Sequence, residues 1–207
     1  MIKAIILDHG NVIAELDNDK FLKRLQGYGH MPANELAYAI YEESTVHEDY
    51  ILGRITSQRF YRTIKTRCRL SISREEFRDA YTSVFTEIKE TTSLIRKLYA
   101  DGYILALLSD TSYWDYMYVI RANPIFPLFR ATTLSFRVKA RKPSSEIYAD
   151  ALRKLRLEPS QCIYIDDIEE YVDVASSIGF KGIHYESPAL LVESLAAFDV
   201  SLRTAAL

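Results

Sequence analysis

Apolar and polar positions in this chain fall into blocks. Three blocks share one design: "IKAIILD" ends on Asp8, "YILALLSD" on Ser109 and Asp110, and "QCIYIDD" on Asp166 and Asp167. Each run is short, lacks the in–out alternation of a half-exposed strand, and gives way to a helical pattern. Such runs predict strands buried on both faces of a parallel sheet. Ligands of open α/β sheets bind beyond the carboxyl ends of the strands, where all three runs place their polar residues.

Helical periodicity fills the spaces between them. "TTSLIRKLYADGY" sets Leu94, Ile95, Leu98 and Tyr99 on one face and stops at Gly102. "SSEIYADALRKL" follows Lys142-Pro143 with Ile147, Leu152 and Leu155 inward, and "DIEEYVDVASSIGF" opens on acids and closes at Gly179. Short strands are expected at "RATTLSF" and "KGIHY". Alternating strand and helix over residues 91–185 predicts an α/β, doubly wound (Rossmann-like) parallel sheet. Residues 15–87 break this rhythm. "DKFLKRLQGYG", "ANELAYAIYEES", "TSQRFYRTIKTRCRL" and "SREEFRDAYTSVF" read as amphipathic helices, with Ser73 and Glu76 as a capping box and Pro32 suiting a first turn. No strand is expected there. The expected division is an α/β core from residues 1–14 and 88–207 and a helical insertion at 15–87.

Composition narrows the function. In a chain of 207 residues, 48% are hydrophobic, enough to bury a sizeable core. A net charge of -2 with no block of like charges argues against nucleic-acid and membrane-surface partners. Only seven glycines are present, with no Walker loop and no dinucleotide fingerprint. A bound phosphate would therefore be held by side chains and a few backbone amides. Cys68 and Cys162 lie far apart without a metal pattern and read as reduced thiols. The N-terminal apolar run is too short to span a bilayer and no leader precedes it, so a soluble, cytoplasmic protein is expected.

The strand ends supply the candidate chemistry. Asp8 after a fully apolar strand needs a partner or a task. Asp166 and Asp167 form a second acidic site, and two carboxylate sites side by side repel unless a cation or proton lies between them. An oxygen-rich site without a cysteine or histidine cluster favours Mg²⁺. Successive side chains on a strand face opposite ways, so one of the pair is expected to bind metal directly, taken as Asp166, and Asp167 to act through water. Ser109 offers a hydroxyl, or caps a helix. "RVKARKPSS" offers Lys139, Arg141 and Lys142, with Pro143 fixing the chain beside Lys142. One positioned ammonium is what a phosphate beside a nucleophilic carboxylate requires. The aromatic run "SYWDYMYVI" reads as helix packing, with a pocket lining as the alternative.

The motifs "ILDHGNV", "LLSDT", "RKP" and "YIDDIEEYVDVASSIGF", in this order and spacing, resemble the haloacid dehalogenase (HAD) superfamily, which is dominated by phosphatases. The insertion sits where that family places its helical cap, and "EDYILGRITSQRFYRTI" is similar to caps of its small bacterial sugar-phosphate phosphatases. The resemblance implies a phosphomonoesterase acting on a small phosphorylated metabolite. Asp8 would form an aspartyl-phosphate. Mg²⁺ would be held by Asp8, the Gly10 carbonyl and Asp166, with Asp167 behind them. Ser109, Asp110 and Lys142 would form the phosphate site, under a cap that closes over it. One departure matters. The usual pattern has a general-acid aspartate where this chain has Gly10, and losing such an acid costs about 10²–10⁴ in rate. Dehalogenases and phosphonatases of the family lack it, and some sugar phosphatases carry the same glycine-asparagine pair. His9 could stand in as acid and base, although alternation points it away from Asp8. Carbon–halogen cleavage through Asp8 and a non-catalytic binder of phosphorylated ligands or proteins are the alternatives. Oligomeric state is left open.

Overall fold

The computed structural model describes residues 1–202; residues 203–207 of the expected core segment lie outside the described residues. Five parallel strands form the central sheet: β1 (Ala4–Leu7), β4 (Ile104–Ser109), β5 (Phe129–Leu134), β6 (Cys162–Asp166) and β7 (Lys181–His184), in the order β5-β4-β1-β6-β7. Between β1 and β4 the chain forms β2 (Ala14–Leu16), α1 (Asn18–Gln26), α2 (Ala33–Ala37), α3 (Val46–Ile51), α4 (Ser57–Arg67), α5 (Arg74–Thr82), β3 (Phe85–Glu87) and α6 (Lys89–Ala100). After β4 come α7 (Tyr113–Asp115), α8 (Ser135–Val138), α9 (Ser145–Leu155), α10 (Glu169–Ile178) and α11 (Pro188–Ala197). The expected α/β doubly wound sheet is present.

Period-two geometry explains why the three apolar runs carry no alternation. On β1, Ile5 and Leu7 join one hydrophobic cluster while Ala4 and Ile6 join another on the opposite face. Leu105 and Leu107 of β4 and Ile163 and Ile165 of β6 repeat the first pattern. Ala106, Leu108, Cys162 and Tyr164 repeat the second. Leu94, Ile95 and Leu98 of α6 and Leu191 and Leu195 of α11 cover the first face. Ile147, Tyr148, Ala151 and Leu155 of α9 cover the second, with Ala175 of α10. Both faces being covered, every residue of β1 is buried, and each Ile or Leu there contributes about 1.5–3 kcal/mol. Tyr99, expected on the inner face of α6, is 52% exposed, lying at the edge of that stripe. Gly182 in β7 has a packing reason: a Cβ there would lie 2.4 Å from Ser176 Oγ and 2.6 Å from Val172 Cγ1, so only glycine lets α10 sit this close.

The segment between β1 and β4 builds its own core. Phe21, Leu25, Leu36, Tyr50, Phe60, Ile64 and Phe77 pack together, Tyr50 stacking on Phe60 with ring centroids 4.4 Å apart. Trp114 of α7 inserts into this cluster from the sheet side, edge-on to Tyr50 at 5.8 Å. The Ser73–Glu76 capping box forms as expected, and Pro32 stands at the N-cap of α2. The expectation of no strand in this segment is corrected: β2 and β3 pair antiparallel, Ala14 with Glu87 and Leu16 with Phe85. The two chain crossings into and out of the helices run side by side and satisfy each other's backbone groups. A three-residue strand is too short to show a period. Two further turns were not foreseen, π turns at Tyr38–Glu42 and Tyr116–Ile120 that continue α2 and α7. Cys68 and Cys162 are both buried free thiols, and no described helix is long and apolar enough to cross a membrane.

Candidate active site

The carboxyl ends of β1, β4 and β6 bring the expected residues together. The Asp8 amide still donates to the Ile165 carbonyl at 2.9 Å, so the nucleophile candidate stands at the last rung of the β1–β6 ladder. The chain then turns back: the Asn11 amide donates to the Ala14 carbonyl at 2.7 Å, and Asn11 holds φ +52°. Asparagine tolerates this left-handed conformation better than most residues. Its Nδ2 donates to Asp167 Oδ2 at 3.0 Å and its Oδ1 accepts from the Leu16 amide at 3.0 Å. Asn11 thus ties the β1 loop to the β6 loop, a task the sequence reading did not assign. The only signal was its place after Gly10 in a polar turn.

Lys142 is the centre of charge. Its Nζ lies 3.1 Å from Asp8 Oδ1 and 2.6 Å from Asp166 Oδ2, and the residue is 3% exposed. Its amide donates to Asp110 Oδ1 at 3.1 Å, and its ammonium sits 5.1 Å from the Tyr171 ring centroid. The Lys142-Pro143 bond is cis. Burial alone would lower the lysine pKa, but Asp8, Asp166 and Asp110 together hold it above its ordinary value. Asp8 moves the other way. Burial pushes its carboxyl up to about 7, with Lys142 opposing and Asp166 adding to the rise. Burial likewise raises Asp110, whose Oδ2 pairs with Arg141 Nε at 3.4 Å.

Asp166 and Asp167 divide as the pleat requires. Asp166 is fully buried: Oδ2 accepts from Lys142 and from the Tyr164 hydroxyl, and Oδ1 accepts from the Ile168 amide at 2.9 Å. Tyr164 stands two residues back on the same strand face. Asp167, in contrast, lies on the wall of a cavity of about 180 Å³ that also touches Asp8, Gly10, Ser109 and Lys142. Ser109 is buried at the end of β4, and beyond it the Thr111 amide donates to Ser135 Oγ at 2.9 Å. Ser135 Oγ in turn lies 2.8 Å from the Ile51 carbonyl, joining this loop to the helical segment. Neither Ser135 nor Tyr164 was singled out from sequence. Lys139, also offered there, reaches instead to the Gly53 carbonyl.

His9 touches the same cavity, yet its ring is 3% exposed and edge-on to Phe85 at 5.1 Å. Burial lowers its pKa to about 4, so the imidazole is neutral near pH 7. The donor set fits a hard dication. One oxygen from each of Asp8, Asp166 and Asp167 lies within 4.8 Å of the others. Chemically, the site sets a buried carboxylate against an ammonium, with two further carboxylates beside them.

The chain is similar to known proteins over most of its length. A D-ribitol-5-phosphate phosphatase from Bacteroides thetaiotaomicron is 24% identical over 200 residues, spanning 91% of this chain and 94% of that protein. The structure of a HAD family enzyme from the same organism superposes with a TM-score of 0.80 at 22% identity, covering 89% of this chain and 94% of that one. The structure of that enzyme in complex with magnesium and inorganic phosphate superposes with a TM-score of 0.77, at 22% identity over 90% of this chain and 95% of that one. The family model for haloacid dehalogenase-like hydrolases matches residues 13–184, and the chain belongs to that family.

Proposed function

We propose that the protein is a magnesium-dependent phosphomonoesterase that acts on a small phosphorylated metabolite of the sugar-phosphate kind. The observation that carries this reading is the Lys142 ammonium 3.1 Å from Asp8, on a cavity walled by carboxylates and a hydroxyl. A carboxylate approaching a phosphate dianion needs that charge neutralised. An Asp8 oxygen attacks phosphorus, the ester P–O bond breaks, and the leaving oxygen departs as an alcohol after taking a proton. Water then attacks the aspartyl-phosphate, releasing inorganic phosphate and restoring Asp8. Lys142 and Ser109 hold phosphoryl oxygens. The Asp110 carboxylate, occupied by the Lys142 amide and Arg141, positions the lysine loop. Residues 15–87 act as the cap that shuts out water.

Asp8, the Gly10 carbonyl and Asp167 would hold the metal, which would supply positive charge against the anionic reactants. Assigning Asp167 the direct place reverses the order expected from sequence. The support is that Asp167 lies on the cavity wall while both oxygens of Asp166 are engaged, with Lys142 among their donors. No proton transfer is placed on His9, which is neutral and packed on Phe85. Water protonates the leaving oxygen, so substrates with good leaving groups react fastest.

Purified protein with Mg²⁺ is expected to release phosphate from at least one sugar or polyol phosphate, and Asp8→Asn to abolish that release. Silence across a broad panel of phosphomonoesters would sink the proposal. Gly10 favours a second reading, a binder that retains the pocket without turnover. Thermal stabilisation by such esters with no phosphate released over long incubation would select it.

A further inference from the structure

A second cavity, of about 320 Å³, adjoins the first and shares Leu16, Phe85, Asp110 and Arg141 with it. It lies where the leaving group of a phosphate ester held at Asp8 would extend. One wall is apolar, built by Leu16, Phe21 and Val84. The polar part of the cavity's lining includes Asp115, which is 5% exposed and has no ion-pair partner among the described residues. Its Oδ2 accepts from the Ser112 hydroxyl at 2.8 Å and the Ser112 amide at 3.3 Å, whereas Oδ1 has no hydrogen-bond partner. An orphaned buried carboxylate oxygen costs stability, and such groups persist where a ligand completes them. Tyr41 and Asp115 also stand in or beside the two π turns, a backbone form that recurs at functional sites.

We infer that Asp115 is a specificity-determining residue that accepts a hydroxyl of an uncharged polyol leaving group. This rests on the phosphomonoesterase reading and deepens it. The charges on this cavity disfavour an anionic leaving group: Glu48 and Asp110 line it, and Arg141 is already paired with Asp110. His47 supplies no cation, since burial lowers its pKa to about 4, with Arg141 adding to the effect. A polyol suits both parts of this lining, with carbon–hydrogen edges on Phe21 and Val84 and hydroxyls toward Asp115. Burial raises Asp115 to about 7, so near neutral pH it can donate as well as accept.

The test compares a pentitol 5-phosphate with n-pentyl phosphate, which matches it in length and lacks the hydroxyls. Wild type is expected to prefer the polyol ester by roughly 10–100-fold in kcat/KM, and Asp115→Ala to erase most of that preference. Asp115→Asn, which keeps an acceptor, should retain much of it. A purely structural role would slow both esters alike and leave the ratio unchanged, which overturns the inference. If Asp115→Ala does not fold, a wild type that treats both esters equally overturns it without any variant. Calorimetric titration of Asp8→Asn with each ester separates the two proposals. Preferential binding of the polyol ester by the variant, with no phosphate released from either ester by wild type, defeats the phosphatase reading alone. Equal binding, or none, defeats the specificity assignment.

Discussion

Asp8 and Asp115 are both buried, and burial pushes each carboxyl up to about 7. Their cavities differ in what faces them. Asp8 has an ammonium at 3.1 Å and two more aspartates within reach of a shared cation. No ion pair reaches Asp115 among the described residues, and its neighbours are serine, tyrosine and a neutral histidine. The same desolvation therefore serves two ends. Beside Lys142 it sharpens attraction for a dianion, and among aromatic rings it leaves a polar atom waiting for a neutral group.

Breaking the charged side should have the largest effect. Lys142→Met leaves Asp8 and Asp166 buried without their cation, a loss of about 3–5 kcal/mol of stability above neutral pH. Urea denaturation should show that deficit shrinking toward pH 5, as the stranded carboxylates take up protons.

Gly10→Asp tests what the charged side lacks. A Cβ at this position meets only Asp8 Oδ2, at an ordinary 3.8 Å, so a Cβ is accommodated there. It should raise turnover of alkyl phosphates by about 10² or more, as a restored general acid does, and change p-nitrophenyl phosphate little. Steady-state rates on the two esters check this.

The smallest effect sharpens the contrast by pH. Asp115 has a folded pKa of about 7 against an ordinary value of 3.8, so the fold binds the extra proton between those values and stability falls as pH rises through them. Asp115→Asn removes that slope and should be more stable than wild type at pH 8 by about 1–3 kcal/mol, with the gap closing toward pH 4. Asp8 contributes a slope of the same sign. Added Mg²⁺ should flatten the part due to Asp8 and leave the part due to Asp115, as thermal unfolding across pH would show.

The sheet was legible because a strand covered on both faces is an unbroken apolar run, and its end shows as a sudden change to Asp8, Ser109-Asp110 or Asp166-Asp167. Lys142 was legible through its proline neighbour. The pleat told that Asp166 and Asp167 face opposite ways, but not which one meets the cavity. That depends on Tyr164 and Lys142 claiming Asp166 from two different elements. Asp115 was hidden inside "SYWDYMYVI". The tyrosines that line its cavity, Tyr41 and Tyr81, lie far upstream in the sequence. The β2–β3 pair was invisible for a simpler reason, since each strand spans three residues.

Trp114 gives the arrangement its last consequence. It belongs to the hydrophobic centre of the helical segment, yet it is carried on the short helix that also bears Asp115 and follows directly from the Ser109-Asp110-Thr111 loop. The residue that anchors the helices, the carboxylate proposed to meet the substrate and the loop proposed to hold phosphate are thus consecutive stretches of one strand exit. A change made on this segment to reshape the second cavity therefore also strains an aromatic plug in the helical core.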